Sequence, residues 1–112
     1  MTEELVPVFR VEDGRAAAAW YERLGFVVIA EHRFEPDLPL YLFLRRGELH
    51  LHLSEHTGDA PPGSLAYLYT DDVDGIAADL GEPVRSQPWG REIELRDPFG
   101  NRLRIGSITT TG

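Results

Sequence analysis

QPWGREIELRDPFGNRLRIGS, residues Gln87–Ser107, predicts a β-hairpin around a dense turn signal. Ile93 and Leu95 alternate with charged residues, which is the period of a half-buried strand. The pentapeptide DPFGN at Asp97–Asn101 then brings together proline, glycine and asparagine, which favour turns. Apolar residues alternate with arginines again after it. We therefore expect two antiparallel strands, one on each side of the turn.

The composition indicates one acidic domain. The chain has 112 residues, no cysteine and a formal net charge of −8, so we expect a single domain over residues 1–112. Without cysteine there is no disulfide, thiolate metal site or thiol nucleophile, and the acidic charge argues against a nucleic-acid partner. No apolar run approaches the ~20 residues of a membrane span and no basic, apolar leader is present, which predicts a cytoplasmic protein.

The two halves of the chain repeat one order of elements. A segment rich in turn residues, EHTGDAPPG at 55–63, divides them. Each half reads as strand, helix and three strands, so the predicted fold class is α+β with two βαβββ modules, at about 5–55 and 63–108. The predicted strands are 6–11, 27–34, 40–45, 48–54, 64–70, 84–87, 91–96 and 102–107.

Helix ends carry the clearest local signals. Asp13 and Asp72 precede the two predicted helices, at about 15–24 and 73–80, and are typical N-caps. Gly25 and Gly81 follow the helices, where glycine favours a stop.

Motifs in both halves carry a family resemblance. The first half contains VEDG…WYERLGF, the second contains TDDVDGIAADLG, and RDPFGN precedes the last strand. In this order they resemble the vicinal-oxygen-chelate (glyoxalase-like) superfamily, and VPV and PWGRE resemble its bleomycin resistance proteins. The resemblance implies the glyoxalase/bleomycin resistance fold, an open, curved mixed-sheet half-barrel groove. It also implies a homodimer whose N-terminal strand exchanges between subunits, with Pro7 as the hinge.

The resemblance also implies where a metal ion would sit in the superfamily's enzymes. The three ligand positions, which carry His or Glu in metal-using members, fall on Val6, Leu65 and Arg104. Two aliphatic side chains and a cation do not bind a divalent ion. We therefore expect no metal, no cofactor and no catalytic residue at this position.

Strand alternation predicts what lines the groove instead. Residues two apart on a strand share a face. We therefore expect aromatic and arginine side chains to line the groove beside Val6, Leu65 and Arg104. Aromatic rings suit a flat, extended ligand, and Trp89, between Pro88 and Gly90, matches a ligand-gripping aromatic of the drug-binding relatives. The alternative for the tyrosines is ordinary packing on strands. The predicted ligand-binding residues are Arg10, Phe34, Tyr41, His50, His52, Tyr67, Tyr69, Trp89, Arg102 and Arg104.

The histidines leave a second function open. His50 and His52 alternate with leucines and face away from the predicted core. Three interpretations are open. The two histidines donate or accept hydrogen bonds toward a ligand, they form a polar strand face, or they are half of a non-standard metal site with Glu94 or His32.

Three functions follow for testing. The leading one is non-catalytic sequestration, conferring resistance, of a small aromatic antibiotic, bleomycin-like or another bulky polycyclic. The alternative is a metal-dependent lyase, isomerase or thiol transferase of the same superfamily. The third is a dimeric module that serves a partner protein.

Overall fold

The structure is a computed structural model, and it describes residues 3–33 and 35–108. The chain divides into two compact units: one contains the described residues up to Ser64 together with Asp97–Asn101, and the other contains Leu65–Arg96 and the described residues from Arg102 onward. Each unit holds one four-stranded mixed sheet and one helix, which confirms the α+β fold with two βαβββ modules. That the units together form one domain stays a prediction. In the described part of the chain, neither helix is long and apolar enough to cross a membrane.

The first unit contains β1 (Val8–Arg10), α1 (Gly14–Glu22), β2 (Val27–His32), β3 (Tyr41–Arg46) and β4 (Leu49–Ser54). Its sheet, sheet 1, has the order β1-β4-β3-β2, with β1 parallel to β4 and the other pairs antiparallel. The first strand is shorter than predicted, because Val6 and Val11 lie outside it. Pro7 has no N–H to donate to the ladder, although its carbonyl accepts from the backbone N–H of His52 at 3.0 Å. Since β1 pairs here with β4 of its own chain, exchange of the N-terminal strand stays a prediction.

Helix α1 covers one face of sheet 1. Asp13 caps it, because its Oδ1 accepts from the backbone N–H of Ala16 at 3.1 Å. Ala17 and Tyr21 are fully buried on the inner face of the helix. Gly25 has φ +88°, a left-handed conformation that glycine adopts without strain, and it turns the chain back toward β2. The predicted N-cap is confirmed, whereas the helix ends at Glu22, before the predicted Leu24.

The second unit contains β5 (Leu65–Tyr69), α2 (Val73–Leu80), β6 (Arg85–Gln87), β7 (Gly90–Arg96) and β8 (Arg102–Ile108). Its sheet, sheet 2, has the order β5-β8-β7-β6, with β5 parallel to β8. Asp72 caps α2 by accepting from the backbone N–H of Gly75 at 3.2 Å. Val73 and Ala77 are the buried residues of α2, and the helix packs against β7 and β8.

The DPFGN turn belongs to the first unit, although it connects β7 to β8. The Asp97 carboxylate is buried and accepts from the backbone N–H groups of Phe99 and Asn101 at 2.8 and 2.9 Å. It also accepts from the Tyr21 hydroxyl at 2.9 Å and from the Asn101 side chain at 3.0 Å. Burial, and then the negative charge of Asp97, raise the pKa of Tyr21, so the phenol stays a hydrogen-bond donor.

The Asn101 amide completes this buried arrangement. Its Nδ2 donates to the carbonyl of Arg10 at 2.8 Å, and its Oδ1 accepts from the backbone N–H of Ser64 at 3.1 Å. Asn101 therefore ties the end of β1 and Ser64, which follows the 55–63 segment that we call the linker, to the turn. Its polar atoms are satisfied although the side chain is fully buried.

Candidate functional site

The face of sheet 2 opposite α2 is polar and aromatic. Alternation places the buried apolar residues of β7 and β8 toward the helix and their alternate neighbours on this face. We call it the open face of sheet 2. Its residues are Leu65, Tyr67, Tyr69, Arg85, Gln87, Glu92, Glu94, Arg96, Arg102, Arg104 and Gly106.

Aromatic rings are exposed on this unit. The ring centroids of Tyr67 and Tyr69 lie 4.7 Å apart with an interplanar angle of 37°, and the Tyr69 side chain is 62% exposed. Pro88 and Trp89 form the two-residue turn between β6 and β7, which leaves Trp89 51% exposed. These rings offer flat apolar area to a planar ligand.

Tyr67 spans the width of a strand. Its hydroxyl donates to Glu92 Oε2 at 2.7 Å, which joins β5 to β7 across β8. Gly106 on β8 makes room for this, because a Cβ there would overlap the Tyr67 hydroxyl oxygen. Glu92 Oε1 accepts from the Gln87 side chain at 3.4 Å. The ring of Tyr67 is therefore held flat over the sheet.

Two arginines share one carboxylate on the same face. Arg104 Nε donates to Glu94 Oε1 at 2.8 Å, and Arg102 Nη1 lies 3.7 Å from the same oxygen. The hydrogen bond from Arg104, reinforced by the charge of Arg102, holds the pKa of Glu94 below its usual range. Glu94 is therefore ionised at neutral pH and orients both guanidinium groups.

The Tyr67 hydroxyl stays protonated in this setting. Burial, and then the hydrogen bond to Glu92, raise the pKa of Tyr67. The Trp89 side chain acts in the opposite direction and lowers the pKa of Tyr67. We call Tyr67 and Tyr69, whose rings are in contact, and the exposed Trp89 of the same unit the aromatic cluster.

A second candidate surface lies on the face of sheet 1 opposite α1. The Tyr41 hydroxyl and His52 Nδ1 are 2.8 Å apart and hydrogen-bonded. Phe43 packs against both, with ring centroids 4.6 Å from His52 and 5.1 Å from Tyr41. Burial, and then the neighbouring His50, lower the pKa of His52, so its ring is neutral at neutral pH.

An open cleft of about 290 Å³ adjoins these rings. It is lined by His32, Tyr41, Phe43, His56 and Asp59. The Asp59 carboxylate accepts from the Ser54 hydroxyl at 2.6 Å. Burial, and then the charge of Asp59, raise the pKa of Tyr41. This cleft offers aromatic contact and polar groups in the first unit.

The two histidines predicted as half of a metal site, His50 and His52, contact different side chains. His50 Nε2 lies 3.7 Å from Glu4 Oε2, and His52 bonds to Tyr41. Glu94, one of the two groups predicted to complete a site, is paired with Arg104 in the second unit. Within residues 3–33 and 35–108, no three His, Asp or Glu side chains converge as a metal site.

The remaining predicted residues are placed as follows. Arg10 donates to the carbonyl of Val11 and lines a separate cleft of about 140 Å³ with Glu12, Thr57, Pro62 and Phe99. Phe34 lies outside the described residues. Leu65 and Arg104, two of the implied metal-ligand positions, share the open face of sheet 2 with Tyr67 and Tyr69.

Sequence reasoning missed the partners that orient the site. Glu92 and Gly106 hold Tyr67 in place, and Phe43 packs on Tyr41 and His52. The alternation of β7 predicts that Glu92 lies on the open face of sheet 2, so the sequence contained a signal for its place in the site. No local sequence pattern indicates that Gly106 leaves space for a tyrosine side chain from another strand.

The comparisons with known proteins agree on one family. A family model described as glyoxalase superfamily protein matches residues 1–111. A comparison with curated proteins gives no significant match.

Solved structures give the same fold. A bleomycin-binding protein in complex with bleomycin has 25% identity and a TM-score of 0.77, covering 96% of this chain and 100% of its own. A bleomycin resistance determinant encoded on the transposon Tn5 has 25% identity and a TM-score of 0.78, covering 97% and 100%. TnmS3, an antibiotic-binding protein from Streptomyces sp. CB03234, has 29% identity and a TM-score of 0.74, covering 97% and 99%.

Proposed function

This chain belongs to the glyoxalase superfamily, and on that premise we propose that it binds and sequesters a small aromatic antibiotic or related natural product without chemical conversion. The ligand is bleomycin-like or another bulky polycyclic compound, and its capture confers resistance. The protein acts as a cytoplasmic homodimer, in which Pro7 is the hinge of an exchanged N-terminal strand.

The aromatic cluster is the observation that carries this proposal. Tyr69 and Trp89 are both more than half exposed, although burial of such rings is favourable by about 25 cal/mol for each Å² removed from water. Tyr67 is held in place by its hydrogen bond to Glu92. A preorganised, exposed aromatic surface loses little side-chain entropy when a planar ligand stacks on it.

The residues at the implied metal-ligand positions support a role without metal chemistry. Val6 and Leu65 offer no donor atom, and Arg104 carries a positive charge that is paired with Glu94 at 2.8 Å. A guanidinium repels a divalent cation and does not lose its proton to become a ligand. The neighbours that bind bleomycin or another antibiotic, at 25–29% identity, support the class of ligand.

Tryptophan fluorescence tests the proposal directly. The chain has two tryptophans, so Trp89→Phe removes the site reporter and Trp20→Phe removes the other. We expect metal-free bleomycin or N-phenyl-1-naphthylamine to change the emission saturably, near one ligand per chain. The change persists in Trp20→Phe and is lost in Trp89→Phe.

The outcomes separate the parts of the proposal. Saturable binding of either compound that needs Trp89 supports the aromatic site. No binding of either compound to the folded protein overturns it, as does an emission change that is the same in Trp89→Phe and therefore comes from Trp20. Turnover of a bound ligand would overturn the non-catalytic part alone.

A metal-dependent enzyme of the same superfamily is the second candidate. It is favoured by one observation, the half-buried imidazoles of His50 and His52 on the same face of β4. Protein purified without chelator would then contain about one Zn, Mn or Ni per chain, and His52→Gln would lose it. Less than ~0.1 equivalent of metal in the unmodified protein contradicts this candidate.

A further inference from the structure

Charge is segregated between the two sides of the second unit. The segment Asp71–Glu82, which contains α2, carries five carboxylates and neither lysine nor arginine. The strand residues of the open face of sheet 2 include four arginines and two glutamates, an excess of two positive charges. A cationic face on a chain of net charge −8 is therefore a local feature.

We propose that Arg102 and Arg104 make this face selective for aromatic ligands that carry an acidic group, such as a carboxylate, sulfonate or ionised phenol. The inference rests on the aromatic site of the proposed function and names the charge of its ligand. A cationic aromatic compound is the disfavoured class, so the inference favours another bulky polycyclic compound over a bleomycin-like one as the ligand of the proposed function.

The hydrogen-bonding capacity of the two arginines exceeds what Glu94 uses. Each guanidinium has five N–H donors. Both groups are directed at one oxygen, Glu94 Oε1, at 2.8 Å from Arg104 and 3.7 Å from Arg102. The charge of Glu92 also acts on Arg104. The two carboxylates of the open face still leave two of its four arginine charges unbalanced, so the pair attracts a further anion.

The position of the pair suits a ligand that stacks on the aromatic cluster. Arg104 lies directly beside Tyr67 in the parallel register of β5 and β8. Arg102 is the partner of Leu65 in the same register. A ligand ring that stacks on Tyr67 therefore has an acidic substituent at its edge within reach of both guanidinium groups, which lie on the same face of the sheet.

Glu94 and Glu92 have different consequences for an incoming anion. Glu94 is the charge that holds the arginines, so removing its charge increases the attraction for a ligand anion. Glu92 is engaged by the Tyr67 hydroxyl and positions an aromatic ring. The two carboxylates are separable by mutation.

A matched pair of probes tests the selectivity. 1-Anilinonaphthalene-8-sulfonate and N-phenyl-1-naphthylamine share one ring system and differ by the sulfonate. We expect Arg104→Gln and Arg102→Gln each to weaken binding of the sulfonate ~10-fold, about 1.4 kcal/mol, and to change binding of the neutral probe less than ~2-fold. Glu94→Gln is expected to tighten sulfonate binding, and salt is expected to weaken it because the arginines are part-exposed.

Arg91→Gln is the control substitution. Arg91 lies on the opposite face of β7 and pairs with Asp74 at 2.6 Å. It has the same charge and a similar ion pair, so it is expected to leave the affinity for both probes unchanged. An effect equal to that of Arg104→Gln would show general attraction by net charge, and would overturn the inference.

The failure of this inference is distinguishable from failure of the proposed function. If both probes bind through Trp89 and both are unaffected by Arg102→Gln and Arg104→Gln, the aromatic site stands and the charge selectivity is wrong. If neither probe binds, the proposed function itself is wrong. Stronger binding of metal-free bleomycin after Arg104→Gln would support the selectivity, because the lost guanidinium repels that cationic ligand.

Discussion

The Tyr67 hydroxyl reaches Glu92 Oε2 at 2.7 Å only because the strand between them carries Gly106 where other residues have a Cβ. The pairing fixes an aromatic ring on the open face of sheet 2 by a contact that skips one strand. A single methyl group added at Gly106 would therefore change the shape of the site.

Gly106→Ala is expected to displace Tyr67 and to destabilise the chain by about 1–3 kcal/mol, because overpacking forces neighbours from their positions. The new Cβ would meet the Tyr67 hydroxyl oxygen and lie 2.9 Å from the Arg91 carbonyl. Chemical denaturation measures the stability, and N-phenyl-1-naphthylamine binding measures the site. Gly58→Ala is the matched control, since nothing lies within 4 Å of its Cβ position. Wild-type stability and binding in Gly106→Ala would contradict the assignment.

Tyr21→Phe is expected to lower the free energy of unfolding by about 1–3 kcal/mol, because it removes one donor from the buried Asp97 carboxylate. The ring itself stays, so packing is retained. Tyr69→Phe, at an exposed tyrosine, is expected to change stability by less than ~0.5 kcal/mol. Equal effects of the two substitutions in urea unfolding would refute the role of the hydrogen bond.

His52 is expected to titrate below 6.5, the usual pKa of histidine, because burial and then His50 lower its pKa in the folded chain. The unfolded chain then binds more protons at this group. Its contribution to stability is therefore complete above about pH 6.5 and is lost as the pH falls through the folded-state pKa. Ring-proton NMR across pH 4–8 measures the pKa, with His52→Gln to assign the signal.

His50→Gln provides the matching control for that titration. It removes the second cause of the shift, so the pKa of His52 is expected to rise toward 6.5 and the loss of stability on acidification to become smaller. A His52 signal that titrates at or above 6.5 in the unmodified protein is incompatible with this account.

Asp13→Ala is expected to cost about 1 kcal/mol of stability, since it removes the side-chain acceptor for the backbone N–H of Ala16 at the start of α1. Asp13→Asn is expected to retain most of the stability, because asparagine caps a helix as well as aspartate does. Thermal unfolding of both variants checks the prediction. A loss in Asp13→Asn equal to that in Asp13→Ala would show that charge, not capping, is the stabilising property.

Much of the fold was predictable because its signals are local. Asp72 and Gly81 mark the ends of α2 by side-chain and backbone preferences that need no tertiary contact. The alternation of β7 and β8 likewise assigns Ile93 and Ile105 to the buried face. The start of β1 was misplaced because Pro7 has no backbone N–H and contributes only its carbonyl to the pairing with β4.

The candidate site was predictable only in part. Alternation placed Tyr67 and Arg104 on one face, and the register confirms that they are neighbours. The pairing of Tyr67 with Glu92 depends on a strand order in which β8 lies between β5 and β7. A contact of that kind is set by topology and by the missing side chain of Gly106, and neither is visible in a local window.

The place of the DPFGN turn in the first unit has a consequence for how the chain is made. Asp97 follows its partner Tyr21 by 76 residues. A nascent chain that has emerged only as far as the linker therefore has α1 and sheet 1 but no acceptor for the buried Tyr21 hydroxyl. The unit synthesised first is completed only when most of the second has left the ribosome, so a gene cut at residues 55–63 would not encode two self-sufficient halves.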